Sequence, residues 1–242
     1  VSTNPSRVVS AEGLVNARDL GGLERTGGGH TPRGVFFRSE NLSAVTARGW
    51  RHLHALGIRT VLDLRQPAER AQSGYRAPDW LTRVEIDHDG LTEHPDFWAE
   101  YWESGLVGTA LYYLPHLTRL PHRSAAVLSA LARAPEGGVL FHCVSGRDRT
   151  GLISLLLLAI AGTTEEAIVE DYLISARNGA AVAAAQGRPN GEPAAEALCR
   201  AHGTTTETAF RTAVAACAAA PLLDLLDTED RKAITTWRGT LP

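Results

Sequence analysis

The stretch His142-Cys143-Val144-Ser145-Gly146-Arg147-Asp148-Arg149-Thr150-Gly151 puts a nucleophile, an anion cradle and a forked cation into one short segment. A thiol attacks efficiently only as thiolate, and it ionises where backbone N–H groups and a guanidinium face it. Gly146 permits a backbone with positive φ, and Ser145 is small enough to keep a cradle open. Arg149 stands six residues after Cys143, so one circuit of a loop brings its guanidinium back over a bound oxyanion. A planar fork suits two phosphate oxygens in a way that lysine does not. Thr150 follows, with a hydroxyl that could stabilise the cysteine as a leaving group. The chemistry implied is attack of Cys143 on a phosphate ester and passage through a phosphocysteine. Val144, Ser145, Gly146, Arg147 and Thr150 serve Arg149 as the phosphate-binding set.

Such a loop works only between a strand and a helix N-terminus, where successive N–H groups form a nest and the helix dipole adds positive potential. Gly138 to Phe141 reads as a short buried strand running into Cys143, and Thr150 to Ala161 as a strongly apolar helix. Val35 to Phe37, Ile58 to Leu64 and Thr82 to Ile86 read as further strands. Thr46 caps a helix to about Leu56, and helical patterns occupy about 95–103, 107–119 and 123–133. Thr163-Thr164-Glu165-Glu166 has the form of a capping box for a helix to about Ala176. Strands separated by helices predict an α/β fold around a mostly parallel sheet. The composition changes after 176. Residues 177–203 are rich in Ala and Gly, a helix opens at Thr204 to Glu207 and reaches about Ala219, and a last one spans about 228–238. The reading is one domain, with a core over about 13–176, a helical insertion or lid over about 177–220 and a C-terminal helix.

The bulk properties fit that reading. A chain of 242 residues with 44% hydrophobic and 21% charged residues has material for a real core. A formal net charge of −3 does not suggest a protein built to coat nucleic acid or an anionic membrane, and leaves room for a local basic site. The apolar run Leu152 to Ala161 is too short to cross a bilayer. Three cysteines do not make a disulfide scaffold, and they point to a reducing, cytoplasmic compartment. Cys199 and Cys217, in Ala-rich helical patterns, read as small buried residues. Val1 to Ser10 lacks an apolar signal-peptide region, and the absence of methionine suggests a processed or trimmed chain. The frequent Ala, Arg and Gly suggest a GC-rich bacterial source.

The loop resembles the HCxxGKDRTG signature of a bacterial protein tyrosine phosphatase family, that of mycobacterial protein tyrosine phosphatase B and a Listeria lipid phosphatase. Asn16 to Gly22 resembles its NxRDLGG element, Phe37-Arg38-Ser39 its RS segment, Asp63-Leu64-Arg65 its DLR strand end and Asp171 to Ser175 its DYLxS helix. These matches run in order from residue 16 to 175. The resemblance implies a protein-tyrosine-phosphatase-like fold, phosphomonoester hydrolysis without a cofactor, and a phosphorylated protein or small molecule as partner. It implies Asp148 as general acid, with orientation of the neighbouring arginines as the alternative, and Asp63 as the carboxylate that positions Arg149. The family's loop lysine is Arg147 here, which keeps the charge and changes its reach.

Other residues stay open at this level. Asp87 and Asp89 follow a strand and could supply an acid from a loop, or simply form a turn. Arg18 and Asp19 could pair near the mouth of the site, or stabilise a turn. His142 reads as a buried residue that orients the loop. The nine histidines lack a metal-binding spacing, so no metal is expected. Phe97 to Trp102 reads as core packing, with an aromatic wall for a ring-bearing substrate as the other possibility. A rhodanese-like sulfurtransferase also cradles anions over a cysteine, but the Arg-Thr-Gly ending speaks against it. A binding protein without turnover would normally have lost Cys143 or Arg149. Phosphotyrosine, phosphoinositide and a small phosphorylated metabolite all fit the cradle, and oligomeric state is not legible.

Overall fold

The computed structural model describes residues 6–241. Five strands form one sheet in the order β1-β2-β5-β3-β4. They are β1 (Arg18–Asp19), β2 (Phe36–Ser39), β3 (Ile58–Asp63), β4 (Thr82–Glu85) and β5 (Gly138–His142). Only β1 runs antiparallel to its neighbour, while β2, β5, β3 and β4 are mutually parallel. The fold is therefore the expected α/β arrangement, a mostly parallel sheet flanked by helices. Every residue of β5 is buried, as a central parallel strand covered on both faces requires.

The helices in chain order are α1 (Ala47–Ala55), α2 (Pro67–Gln72), α3 (Pro95–Tyr101), α4 (Tyr113–Arg119), α5 (Pro121–Arg133) and α6 (Asp148–Ile160). There follow α7 (Glu165–Ala185), α8 (Glu192–Ala201), α9 (Thr206–Ala216), α10 (Ala220–Leu223) and α11 (Thr228–Thr235). Side chains alternate across the strands and feed two cores. Phe36, Leu62, Val139 and Phe141 pack with α5, α6 and α11 on one face, around Leu128, Leu155, Ile234 and Trp237. Phe37, Val61 and Leu140 pack under α1 on the other, with Trp50 and Leu53. Helix α6 is buried from Arg149 to Leu158 and apolar all round, which makes it a core helix.

The structure departs from the sequence reading in several places. The helix expected over 107–119 is broken into 3-10 turns at Leu106–Gly108 and Ala110–Tyr112, followed by α4. Thr109 lies between them in extended backbone and accepts a hydrogen bond from the Leu111 N–H on its side chain, so it caps the second turn. Helix α7 runs through residue 177 to Ala185, so no break marks the change in composition. At its start Thr164 caps alone, accepting from the Ala167 N–H, without the reciprocal bond of a capping box. Helix α2 has no counterpart in the sequence reading, while α8 falls in the Ala-rich helical pattern around Cys199. Each has proline in its first turn, where a missing N–H costs nothing.

Candidate active site

The carboxyl ends of β2, β3 and β5 meet along one edge of the sheet, the usual place for a ligand in an open parallel sheet. The segment from Cys143 to Arg147 turns there between β5 and α6. Its carbonyls are held from outside by donors on several elements. Val144 O accepts from Asn41 N at 2.9 Å and from Gln186 Nε2 at 2.8 Å. Ser145 O accepts from Asn16 Nδ2 at 3.2 Å, and Gly146 O from an Arg38 terminal nitrogen at 2.7 Å. Asp148 O accepts from the Tyr113 hydroxyl at 2.8 Å. Carbonyls drawn outward leave the N–H groups to the concave side, as an anion nest requires. Gly146 has φ +68°, and a Cβ there would meet Ser39 O at 2.3 Å, so loop and strand end can touch only with glycine.

Cys143 is 2% exposed and sits in a cavity of about 210 Å³ whose walls include Glu69, Trp102, Tyr112, Asp148, Arg149 and Arg188. His142 beside it bonds Cys143 O through Nδ1 at 2.9 Å and the Tyr75 hydroxyl through Nε2 at 3.1 Å. Burial brings its pKa down to about 4, with Asp63 opposing, so the ring is neutral and fixes the loop. Thr150 is fully buried, and its hydroxyl has no hydrogen-bond partner among the described residues.

Arg149 is held by two carboxylates. Glu69 takes its two terminal nitrogens in a fork, at 2.5 and 2.7 Å, and Asp89 takes one of them at 3.0 Å. That grip uses the outer edge of the guanidinium and leaves the edge bearing Nε for an oxyanion. Burial would discharge Arg149, but Asp89, Glu69 and Cys143 override it and hold the pKa well above the usual arginine value. Glu69 is not among the residues expected from the sequence. It belongs to the short helix α2, where its carboxylate also accepts from the Gln66 N–H at 2.9 Å.

Asp63, expected to position Arg149, does not contact it. Arg65, two residues further on, forks onto Asp63 at 2.8 and 2.7 Å, and Arg83 reaches it at 3.3 Å. The chain turns directly after β3, so Arg65 folds back onto the carboxylate that ends its own strand. Burial opposes ionisation of Asp63, and Arg65 overrides it and keeps the carboxylate below its usual range. Asp89 is fully buried, bonded to Gln66 Nε2 at 2.8 Å as well as to Arg149, and burial raises its pKa. Asp87 accepts the N–H groups of Asp89 and Gly90 at 3.0 Å each and forms a turn.

Arg147 also lies elsewhere than its place in the phosphate-binding set implies. Its guanidinium bonds Gly108 O and Asp148 Oδ1, both at 2.7 Å, lies 2.9 Å from Glu192 Oε1 and covers the Tyr172 ring. It lines a second cavity of about 450 Å³ that opens beside the first and shares Gly108, Ser145, Asp148 and Arg188 with it. The Asp148 side chain is 20% exposed between the two.

Arg18 and Asp19 do not pair with each other, because neighbours on a strand point to opposite faces. Asp19 accepts from Gly21 N at 2.7 Å and Gly34 N at 3.0 Å and holds a turn. Arg18 points inward to Asp171, whose carboxylate also takes Arg7 and Arg38 at 2.8 and 2.7 Å. Burial works against ionised Asp171, but the arginines prevail and hold it far below the usual carboxylate range. Arg18 and Arg38 also both bond the Ser175 hydroxyl, so this network braces the loop from behind. In the aromatic segment, Phe97 and Trp98 are core, while Trp102 is 40% exposed at the cavity. Among the described residues no group of three His, Cys, Asp or Glu side chains is placed to hold a metal ion. No helix among them is long and apolar enough to cross a membrane.

Comparison with known proteins adds to this geometry. A family profile described as "Tyrosine phosphatase family" matches residues 9–221. A Cupriavidus necator protein, named provisionally as a tyrosine-protein phosphatase, is 32% identical over 168 residues, covering 67% of this chain and 60% of that protein. The triple specificity protein phosphatase PtpB of Mycobacterium tuberculosis is 31% identical over 170 residues, covering 59% of this chain and 61% of its own. The chain thus spans about three fifths of the length of these relatives. The solved structure of P. aeruginosa TpbA in complex with pTyr covers 76% of this chain and 87% of that one, at 19% identity and a TM-score of 0.36, too slight a likeness to bear on the assignment. With a family match that covers the sheet, the Cys143 loop and the helices as far as α10, the chain belongs to the tyrosine phosphatase family.

Proposed function

We propose that this protein hydrolyses phosphomonoesters through a phosphocysteine, with phosphotyrosine as the substrate class. The observation that carries the reading is the Arg149 guanidinium, fixed by Glu69 and Asp89 in the wall of the cavity that holds Cys143. The substrate phosphate enters the nest from Cys143 to Arg149, with its equatorial oxygens on the loop N–H groups and on the free edge of Arg149. The Cys143 thiolate attacks phosphorus as the ester P–O bond breaks, and Asp148 gives its proton to the departing oxygen. Water then attacks the phosphocysteine, Asp148 takes a proton from it, and the S–P bond breaks to release phosphate and thiolate. The buried hydroxyl of Thr150 is available to that thiolate.

The class of ester is read from the walls. Trp102 and Tyr112 give a phenyl ring two aromatic neighbours. Arg147 is already committed to Asp148, Gly108 and Glu192, while Arg188 stands in the walls of both cavities with its Nε on Gln186 and can meet a further charged group of the substrate. The aromatic walls are what favour an aryl phosphate. The name tyrosine-protein phosphatase, carried by two of the relatives, fits the same class. The test is a panel of phosphotyrosine peptides, phosphoinositides and small phosphorylated metabolites, assayed with the wild type and Cys143→Ser. Phosphotyrosine should have the highest kcat/KM, and Cys143→Ser should lose about 10⁴-fold or more. A Cys143→Ser enzyme that keeps more than about a tenth of the activity would sink the mechanism.

A further inference from the structure

Tyr112 and Tyr113 are adjacent and both fully buried, but their hydroxyls are used differently. The Tyr113 hydroxyl holds the loop through Asp148 O at 2.8 Å. The Tyr112 hydroxyl has no hydrogen-bond partner among the described residues, although its side chain lines the cavity of Cys143, Asp148 and Arg149. A buried hydroxyl left unpaired works against folding, and phenylalanine would fill the same place without that cost. Burial, then the Asp148 carboxylate, push the Tyr112 phenol well above its usual pKa, so it stays protonated and keeps a hydrogen to donate. Of the two carboxylates in the walls of this cavity, Glu69 is taken up by the Arg149 fork, which leaves Asp148 as the acceptor open to this hydroxyl.

We infer that Tyr112 is a positioning residue for Asp148, donating its hydroxyl hydrogen to the carboxyl group as that group hands its proton to the leaving oxygen. The inference rests on the assignment of Asp148 as general acid made above. As the P–O bond breaks and the S–P bond forms, the Asp148 proton moves to the ester oxygen and a carboxylate remains. A phenol O–H directed at that carboxylate stabilises it at the moment it forms, and holds its other oxygen toward the leaving group. The other groups that face Asp148 are Arg147 beside it, Glu192 from α8, Tyr113 from α4 and Tyr172 from α7. Arg149, Cys143 and Arg188 share its cavity. Among the tyrosines, Tyr113 is already engaged by a backbone carbonyl, and Tyr172, whose hydroxyl is also unpaired among the described residues, lines neither cavity; the charge of Arg147 is divided between Asp148 and Glu192.

The test compares Tyr112→Phe, Asp148→Asn and the double variant on phenyl phosphate and dinitrophenyl phosphate, across pH. Tyr112→Phe should fold normally and lose about 10-fold or more in kcat/KM on phenyl phosphate, the scale of a hydrogen bond to a charged group. It should lose little on dinitrophenyl phosphate, whose leaving group needs no proton. Without the phenol the protonated acid is favoured, so the alkaline limb of kcat/KM on phenyl phosphate should move to higher pH. In the Asp148→Asn background the same change should cost nothing further. Wild-type kinetics in Tyr112→Phe, or an equal loss on both esters that adds to Asp148→Asn, would overturn the inference. Indifference of kcat/KM of Asp148→Asn itself to the leaving group would remove the acid assignment and this inference with it. Leaving-group dependence in Asp148→Asn alone would remove only the inference.

Discussion

The two carboxylates on Arg149 decide which edge of its guanidinium is left for substrate, and Glu69 holds the larger share of that grip. Glu69→Gln keeps the side-chain shape but halves its accepting capacity and removes its charge, so Arg149 should wander. We expect kcat/KM on a phosphotyrosine peptide to fall about 10- to 100-fold, the order of losing one fixed transition-state donor. The thiol should still react with iodoacetate, since the loop N–H groups are untouched. Asp63→Asn should behave in the opposite way, lowering the melting temperature through Arg65 with little change in kcat. A comparison of kinetics and melting for the two variants separates these roles, and a larger kcat loss in Asp63→Asn would reverse the assignment. Asp63 was expected at Arg149 because it is the carboxylate of the DLR resemblance and ends a strand beside the loop, whereas the fold pairs it with Arg65 two residues on. Glu69 was hidden because α2 is a single short helix opened by Pro67, with no periodic pattern to mark it.

The elements behind the loop act through buried charge. Asp171 on α7 gathers Arg7 from the N-terminal segment, Arg18 from β1 and Arg38 from β2, and Arg38 in turn holds Gly146 O. Asp171→Asn would leave two buried guanidinium groups without their shared counter-charge. A loss of about 3–5 kcal/mol is typical of breaking such a cluster. At roughly 2–4 °C per kcal/mol for a chain of this size, the melting temperature should drop by about 6–20 °C. A drop within a degree or two would mean that the network adds no stability. These elements were readable in outline. β3, β4, β5 and the caps of α1 and α9 lie close to where β-branched runs and Thr residues placed them. What could not be read was the reach of α7, because Arg177, Asn178 and Gly179 look like a helix end when seen alone. In the fold Asn178 bonds Val15 O, and Gly179 leaves room for Glu192 to approach Arg147. Tertiary contacts settled that boundary, and local propensity did not.

At the scale of the whole molecule, His116 and His142 are both buried and both brought down to about pKa 4 by burial. The unfolded chain protonates histidine near its ordinary value of about 6.5. Between those values the unfolded state binds more protons, so folding stability should fall as the pH drops from about 6.5 to about 4. Each histidine contributes a slope of up to about 1.4 kcal/mol per pH unit, and neither contributes above that window. Urea denaturation across the window should show this slope, and it should become shallower in His116→Phe. A stability that is flat or rises on acidification would contradict the buried neutral state. The same neutral His142 keeps the Cys143 loop in place without competing for the proton of the reaction. The central claim concerns Cys143 itself, and rapid quenching of the reaction followed by peptide mass analysis tests it most directly. With Asp148→Asn and dinitrophenyl phosphate, attack needs no acid but hydrolysis lacks its base, so the intermediate should accumulate. The account predicts one added phosphoryl group on the peptide that contains Cys143, appearing in a burst and decaying with turnover. Continued turnover with no phosphoryl group on that peptide, or with one on any other residue, would contradict it.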